Sequence, residues 1–312
     1  ASDENIEKID SAPYSYWKET FKQFFKHPGA IISLVVLALV ILLTIFGPMM
    51  KSYRVDVSDI GNPPDNFCVN GDCYIGPNKD NWFGVAGNKM LNFKGYDLWT
   101  CVWVGARLSL LLAIVVSLID TVVGIFVGAL WGYFRWLDPI LLELRNFLTN
   151  VPDILLYFLL MQFLQPSFWV IVFLLTMFGW LGLAGYIRNQ IIIIRNREYN
   201  IASITLGSSS RAMITHNLLP YLISIIVTVV STAIPGAVGS EVGLAFFGLS
   251  FKATQGNITL GQLLTESAQD DWMTKGHFYI LVAPLVVLIP LTVSFFYIGL
   301  ILADCSDPKN HR

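Results

Sequence analysis

Long apolar runs separated by short polar stretches set the plan of this chain. They fall near residues 28–49, 103–134, 139–164, 167–187, 217–248 and 277–303. A helix rises about 1.5 Å per residue, so about 20 apolar residues cross a hydrocarbon core of about 30 Å. Every run reaches that length, and the pattern predicts six transmembrane helices. The first, Ala30–Phe46, has no charged residue. A polar tail too long for a signal-peptide n-region precedes it and no small-residue cleavage site follows, so it is expected to be a retained span. Residues 50–98 are rich in Asn, Asp, Gly and Pro and lack a helical period. They predict a loop-rich cap or a few short strands. Ahead of the first span, Tyr14, Trp17, Phe21, Phe24 and Phe25 recur at helical spacing with Lys18, Lys22 and Lys26 opposite. That pattern predicts an amphipathic helix on the inner membrane surface, anchoring the start of the first span.

Composition narrows the class. Hydrophobic residues make up 54% and charged residues 13%, about half the charge of an average soluble protein. The mean hydropathy is +0.60. A soluble enzyme, a disordered chain and a nucleic-acid binder are excluded, and a net charge of -2 offers no basic surface to a phosphate backbone. Lys and Arg next to the spans give orientation. Lys8, Lys18, Lys22 and Lys26, then Arg135, then Arg188, Arg195, Arg197 and Arg211, and finally Lys309 and Arg312 share one side if six spans are drawn. That side is expected to be cytoplasmic, with both termini inside. In the 50–98 segment Asp56, Asp59, Asp65, Asp72 and Asp80 offset the cations.

Polar and small residues inside apolar runs carry the most information. Asp120, Gly124, Gly128 and Gly132 recur at i+4 in the second span. Such a stripe lets another helix approach closely and places the carboxylate on the same seam. It reads either as helix packing or as a polar element of a translocation pathway. The fifth span holds Pro235, Gly236, Gly239, Ser240, Glu241 and Gly243, which predicts a broken helix, either a moving wall or a static kink. Asn150-Val151-Pro152-Asp153 predicts a break in the third span, and Asp138-Pro139 a helix start. Cys68 and Cys73 flank Asn70-Gly71, a hairpin-turn pair. They read as a disulfide on the oxidising face or as two thiols in a loop. Cys101 and Cys305 belong near opposite membrane faces. There is no phosphate-binding Gly-x4-Gly-Lys-Ser/Thr motif, no Gly-x-Ser-x-Gly and no His-Glu-x-x-His, and the four histidines lack metal-ligand spacing. No catalytic residue and no metal site are expected, and if ATP drives this protein another chain hydrolyses it.

The segment Arg197–Tyr221 predicts two short helices separated at Gly207 and ending at Pro220. Tyr199, Ile201, Ala202 and Leu206 form a compact apolar face suited to a partner's groove. This segment resembles the EAA motif of ATP-binding-cassette importer permeases, E-A-A-x3-G-x9-I-x-L-P, with Ala202, Gly207, Leu219 and Pro220 matching. Ile201, Ser203 and Asn217 depart from the pattern. Trp82, Phe83, Gly84, Gly95, Asp97, Gly105, Ala106, Arg107, Ser109 and Leu110 resemble the W-F-G…G-R-D…G-A-R-x-S-L pattern of the C-type permease subunits of oligopeptide and dipeptide importers. Val85, Ala86 and Tyr96 differ from it. Ser240–Phe251 and Leu302–Arg312 are similar to that group's L-S-F-L-G-L-G and L-x-D-x-x-D-P-R stretches.

The resemblance implies an all-α, type I importer (MetI-like) permease fold with an extracellular loop-rich insertion, in the plasma membrane. The implied organisation is a cytoplasmic tail at 1–27, a first span at 28–49, an extracellular region at 50–98, a five-helix core at 99–303 and a tail at 304–312. It further implies a coupling loop at 195–216 that fits a cleft on an ATPase, with Tyr199, Asn200, Ile201, Ala202, Ser203, Leu206 and Gly207 as coupling residues. Implied partners are a homologous permease, two cytoplasmic ATPase subunits that bind the ATP and Mg, an extracellular peptide-binding protein, a peptide substrate and membrane lipid. No cofactor is expected in this chain, and Asp120 and Glu241 are its candidate pathway residues. A permease for dipeptides, nickel or glycopeptides stays open, as does a secondary transporter built on broken helices and buried carboxylates.

Overall fold

The computed structural model describes residues 16–51, 68–69, 72–73, 75–88, 93–209, 213, 223–251, 257–269 and 276–306. The tail helix α1 is Tyr16–Phe24, followed by α2 at Pro28–Phe46 and one 3-10 turn at Gly47–Met49. Two antiparallel hairpins come next: β1 (Cys68–Val69) with β2 (Asp72–Cys73), and β3 (Val85–Asn88) with β4 (Phe93–Asp97). Then follow α3 (Leu98–Tyr133), α4 (Leu137–Asn150), α5 (Asp153–Phe163), α6 (Phe168–Arg195) and α7 (Glu198–Thr205). The last three helices are α8 (Ile223–Phe246), α9 (Leu260–Gln269) and α10 (Tyr279–Ser306).

Five of these helices, α2, α3, α6, α8 and α10, are long and apolar enough to cross a membrane. The third predicted span is instead two shorter helices, α4 and α5. They are separated at Val151-Pro152, where proline disfavours helix in the residue before it and lacks the N–H to continue one. Packing settles what the pair does. Along the α3–α6 seam, Asp120 lies against Gly179, Gly124 against Leu183, Gly128 against Ala184 and Ile187, and Gly132 against Arg188 and Ile191. Partner numbers rise together, so α3 and α6 run parallel, and the chain between Tyr133 and Phe168 must return the full height of the seam. At 1.5 Å per residue α4 and α5 supply about 37 Å of helix, enough for that return. The bundle therefore has six crossings, one of them broken.

Contacts at the ends sort the elements onto two faces. Phe24, Ala30 and Cys305 pack together, which puts α1, the start of α2 and the end of α10 on one face. The end of α3, the end of α6 and α7 share it. The opposite face carries the hairpins, the start of α3, α9 and the start of α10, where Tyr279 Oη donates to the Val85 carbonyl at 3.0 Å. Cys101 and Cys305 therefore lie near opposite faces, as the sequence predicts.

Each junction has an identifiable cause. Asp97 caps α3: its carboxylate accepts from the Thr100 N–H at 3.0 Å and the Thr100 hydroxyl at 2.9 Å. This satisfies donors that a helix start leaves open. Burial pushes Asp97 above its ordinary value, while the Thr100 hydrogen bonds and Lys51 oppose the shift. Arg107 donates to the Thr44 and Ile45 carbonyls and so closes the C-terminal end of α2, where a cation is favoured. Gly84 has φ +91 with the Ile75 carbonyl and the Tyr279 ring where a side chain would stand, so only glycine fits there.

The fifth predicted span differs from expectation. The helix α8 runs unbroken through Pro235, as helices that cross a membrane tolerate an internal proline.

Candidate functional site

Between α3, α6 and α8 the bundle encloses a cavity of about 400 Å³. Ser117, Asp120 and Thr121 come from α3, Gly179 and Tyr186 from α6, and Thr232, Gly236 and Ser240 from α8. The sequence explains the space: small residues on three apposed helices leave volume that bulky ones would fill. Asp120 follows the same i+4 row as the glycine seam, and its carboxylate rests on Gly179, where any side chain would collide with it. Thus the stripe is a helix-packing seam over most of its length and a polar cavity wall at the Asp120 end. A second space of about 290 Å³ shares Leu175, Gly179 and Ser240 with the first and is flanked by Asp153 and Tyr157.

Glu241, expected beside Asp120 as a pathway residue, lies elsewhere. It is 3% exposed and absent from both cavity walls. Ser109 Oγ donates to its Oε2 at 3.2 Å and accepts from the Leu260 N–H at 3.0 Å. One serine of the G-A-R-x-S-L stretch thereby ties α8 to α3 and to the start of α9. The reason is helical geometry: Ser240 and Glu241 are about 100° apart around α8, so when the first faces the cavity the second faces α3 and α9.

On the other face, α7 hangs from the end of α6. Asn200 is fully buried, and its side-chain amide donates to the Ile194 carbonyl at 2.9 Å. Asn200 therefore holds the helix in place and does not belong to the outward surface. Ile201 is 50% and Leu206 87% exposed, with Ala202 exposed and Ser203 half-buried. The Tyr199 side chain lies outside the described residues. Gly207 has φ +88 and open space around it, the backbone conformation that ends α7. The second helix expected after it, with Arg211, Leu219 and Pro220, lies outside the described residues, apart from Met213, which is buried against Ile187 and Ile191.

A polar clamp that the sequence reading missed stands between α7 and the cavity. Arg188 Nε and Nη2 donate to the two carboxylate oxygens of Asp138 at 2.6 and 2.8 Å. Trp131 Nε1 donates to Asp138 Oδ1 at 2.9 Å, and the guanidinium lies 5.3 Å from the Trp131 ring centroid. The hydrogen bond from Arg188 holds the Asp138 carboxyl below its ordinary value. Nearby, Arg195 Nη1 donates to the Tyr133 and Gly132 carbonyls at 2.6 and 3.2 Å, capping α3. In the sequence these residues signalled only orientation and a helix start. Their separation of 50 positions hides the pairing.

In the β1–β2 hairpin the register sets Cys68 directly opposite Cys73. Among the described residues no group of three His, Cys, Asp or Glu side chains could hold a metal.

A six-crossing bundle with a polar-walled cavity and a short exposed helix at one face has the build of a multi-pass membrane transport subunit. Residues 121–309 match the family described as binding-protein-dependent transport system inner membrane component, and the chain belongs to that family. Residues 15–66 match the N-terminal TM domain of oligopeptide transport permease C. Over 306 residues the chain is 36% identical to the oligopeptide transport system permease protein AmiD of Streptococcus pneumoniae, covering 98% of this chain and 94% of that relative. Two Bacillus subtilis proteins are each 28% identical: the oligopeptide permease OppC, over 80% of this chain and 77% of its own, and the dipeptide permease DppC, over 96% and 87%.

Proposed function

We propose that this chain is one of two permease subunits of an ATP-driven oligopeptide importer, forming half of the pathway with a homologous permease. The observation that carries this reading is the exposed apolar tip of α7, at the end of a helix whose other side walls the cavity. Exposed Ile201 and Leu206 suit a cleft on a partner, and Asn200 and Gly207 fix how the tip is presented. Two cytoplasmic ATPase subunits occupy that face, which makes it the cytoplasmic one and places both ends of the described chain inside. ATP and Mg are held by those subunits, since the sequence has no phosphate loop. A binding protein delivers peptide to the face bearing the hairpins. The second permease covers the apolar helix α4, which has no buried residue and exposes Ile140, Leu144 and Phe147. The relatives' names support an oligopeptide as substrate over dipeptides, nickel or glycopeptides.

ATP binding closes the ATPase pair and pushes on α7. The buried Asn200–Ile194 link passes the push to α6, and the clamp of Asp138, Arg188 and Trp131 passes it to α3. The cavity walls then exchange access between faces. Replacing Ala202→Arg or Gly207→Pro tests the coupling role, with assembly scored separately by co-purification. Peptide uptake and substrate-stimulated ATP hydrolysis are expected to fall while the four subunits still co-purify. Unchanged uptake would sink the assignment.

A further inference from the structure

Five buried side-chain polar atoms among the described residues have no hydrogen-bond partner, and two of them are neighbours in the cavity wall: Asp120 Oδ1 and Thr121 Oγ1. Folded proteins satisfy nearly all such groups, and inside a bilayer the need is stronger because water is scarce. The seat is built as well as open. Only glycine at position 179 leaves room for the Asp120 carboxylate, and the hydroxyl residues Ser117, Thr232 and Ser240 line the same space. Among the described residues no Lys, Arg or His lines this cavity or the adjoining one, whereas a second carboxylate, Asp153, flanks the latter. The volume of about 400 Å³ falls within the range of small-molecule sites. A carboxylate in a cavity wall with no cation beside it is neutralised by a proton or by a cation that brings its own donors, and a substrate ammonium is such a cation.

We propose that the Asp120 carboxylate is the receiving site for an alkylammonium group of the substrate, and that this group is the amino terminus of the translocating peptide. The assignment rests on the importer function above. It adds what that function leaves open: which end of the substrate the permease recognises. An ammonium offers three donors, one for the Asp120 carboxylate and two for acceptors such as the hydroxyl residues of the lining. A peptide's amino terminus is common to every free peptide, so such a site is compatible with broad side-chain acceptance. A lysine side chain presents the same chemistry and is the competing source.

The test uses the complete importer in proteoliposomes with one and the same binding protein, comparing wild type, Asp120→Asn and Asp120→Glu. The peptides are tetra-alanine and Ala-Lys-Ala-Ala. Losing a charge-assisted hydrogen bond is expected to raise KM for both peptides about ten-fold in Asp120→Asn, by the same factor, with Asp120→Glu restoring most of the loss. A rise confined to the lysine peptide would support the ammonium site and move its ligand from the amino terminus to the side chain. Unchanged KM in Asp120→Asn, or an equal fall of kcat in Asn and Glu variants without a KM change, would overturn the site. Wild-type vesicles that take up neither peptide would overturn the importer function itself, a result separate from any loss seen only in the variants.

Discussion

The α3–α6 seam predicts a specific response to a single added methyl group. A Cβ at Gly128 would lie 2.6 Å from the Ala184 carbonyl oxygen and 2.8 Å from the Ile187 Cβ. An ordinary carbon–oxygen contact is about 3.3 Å or more, so the helices would have to part by roughly 0.7 Å. Overpacking costs about 1–3 kcal/mol. The upper half of that range applies, because the obstacle is backbone and cannot rotate away. Better helix propensity returns at most about 1 kcal/mol, leaving a net loss of about 1–2 kcal/mol for Gly128→Ala. The control is Gly182→Ala on the facing helix, where nothing lies within 4 Å of the new methyl; there the propensity gain stands alone. The assay is the fraction of chain still monodisperse in mild detergent after heating, read across a temperature series. Gly128→Ala is expected to lose dispersity at a lower temperature than wild type, and Gly182→Ala at the same temperature or higher. Equal behaviour of the two variants would refute the argument that the glycine row is there for close packing.

Two other outcomes follow from single side chains. Asp138→Asn should lower thermal stability at neutral pH by at most about 1 kcal/mol, since the Asp138 side chain is 38% exposed and solvent screens the pair. Its folded-state pKa is lowered by Arg188, so the stabilisation is present above the ordinary carboxylate value and is lost as pH falls through the folded value. The difference from wild type should therefore close in acid, and a gap that persists there would mean the ion pair is not its source. Cys68 and Cys73 are predicted to be joined: alkylation followed by intact-mass measurement should add two labels only after reduction, and labelling of both without reduction would show two thiols.

Much of the fold was legible because membrane crossing imposes a length that apolar runs report directly. The starts of α2 and α6 and the ends of α3 and α10 fall within a few residues of the expected boundaries. The α4–α5 break was legible at Pro152, but the two separate helices were not, since hydropathy averages across a two-residue interruption. Pro235 misled in the opposite direction. A proline signals a break by removing one hydrogen bond, yet whether the helix ends depends on neighbours that sequence order does not reveal. At the site, the i+4 spacing from Asp120 through Gly132 correctly implied one seam. It did not imply the cavity, which needs Thr232 and Ser240 from a helix more than 100 positions away. The clamp of Asp138 and Arg188 was invisible for the same reason.

Asp120 and Glu241 look alike in the sequence, a single carboxylate among small residues in an apolar run, and each keeps one buried oxygen without a hydrogen-bond partner; the structure separates them by what surrounds them. Glu241 shares Ser109 with the start of α9, so it binds three elements together near the hairpin face. Asp120 keeps Oδ1 unpartnered in a cavity wall. The two locks around that cavity lie at opposite ends: the clamp of Trp131, Asp138 and Arg188 joins α3, α4 and α6 near the α7 face, while Ser109 and Glu241 join α3 to α8 near the hairpin face. Under the proposed coupling a push from α7 reaches α3 and α6 together, and α8 meets that pair at both ends, through Ile226 beside Ala129, Ile187 and Ile191 near the α7 face and through Glu241 near the hairpin face. Between those ends α6 and α8 scarcely touch, and Asp120, on α3 between them, is the carboxylate on the wall of the gap they leave.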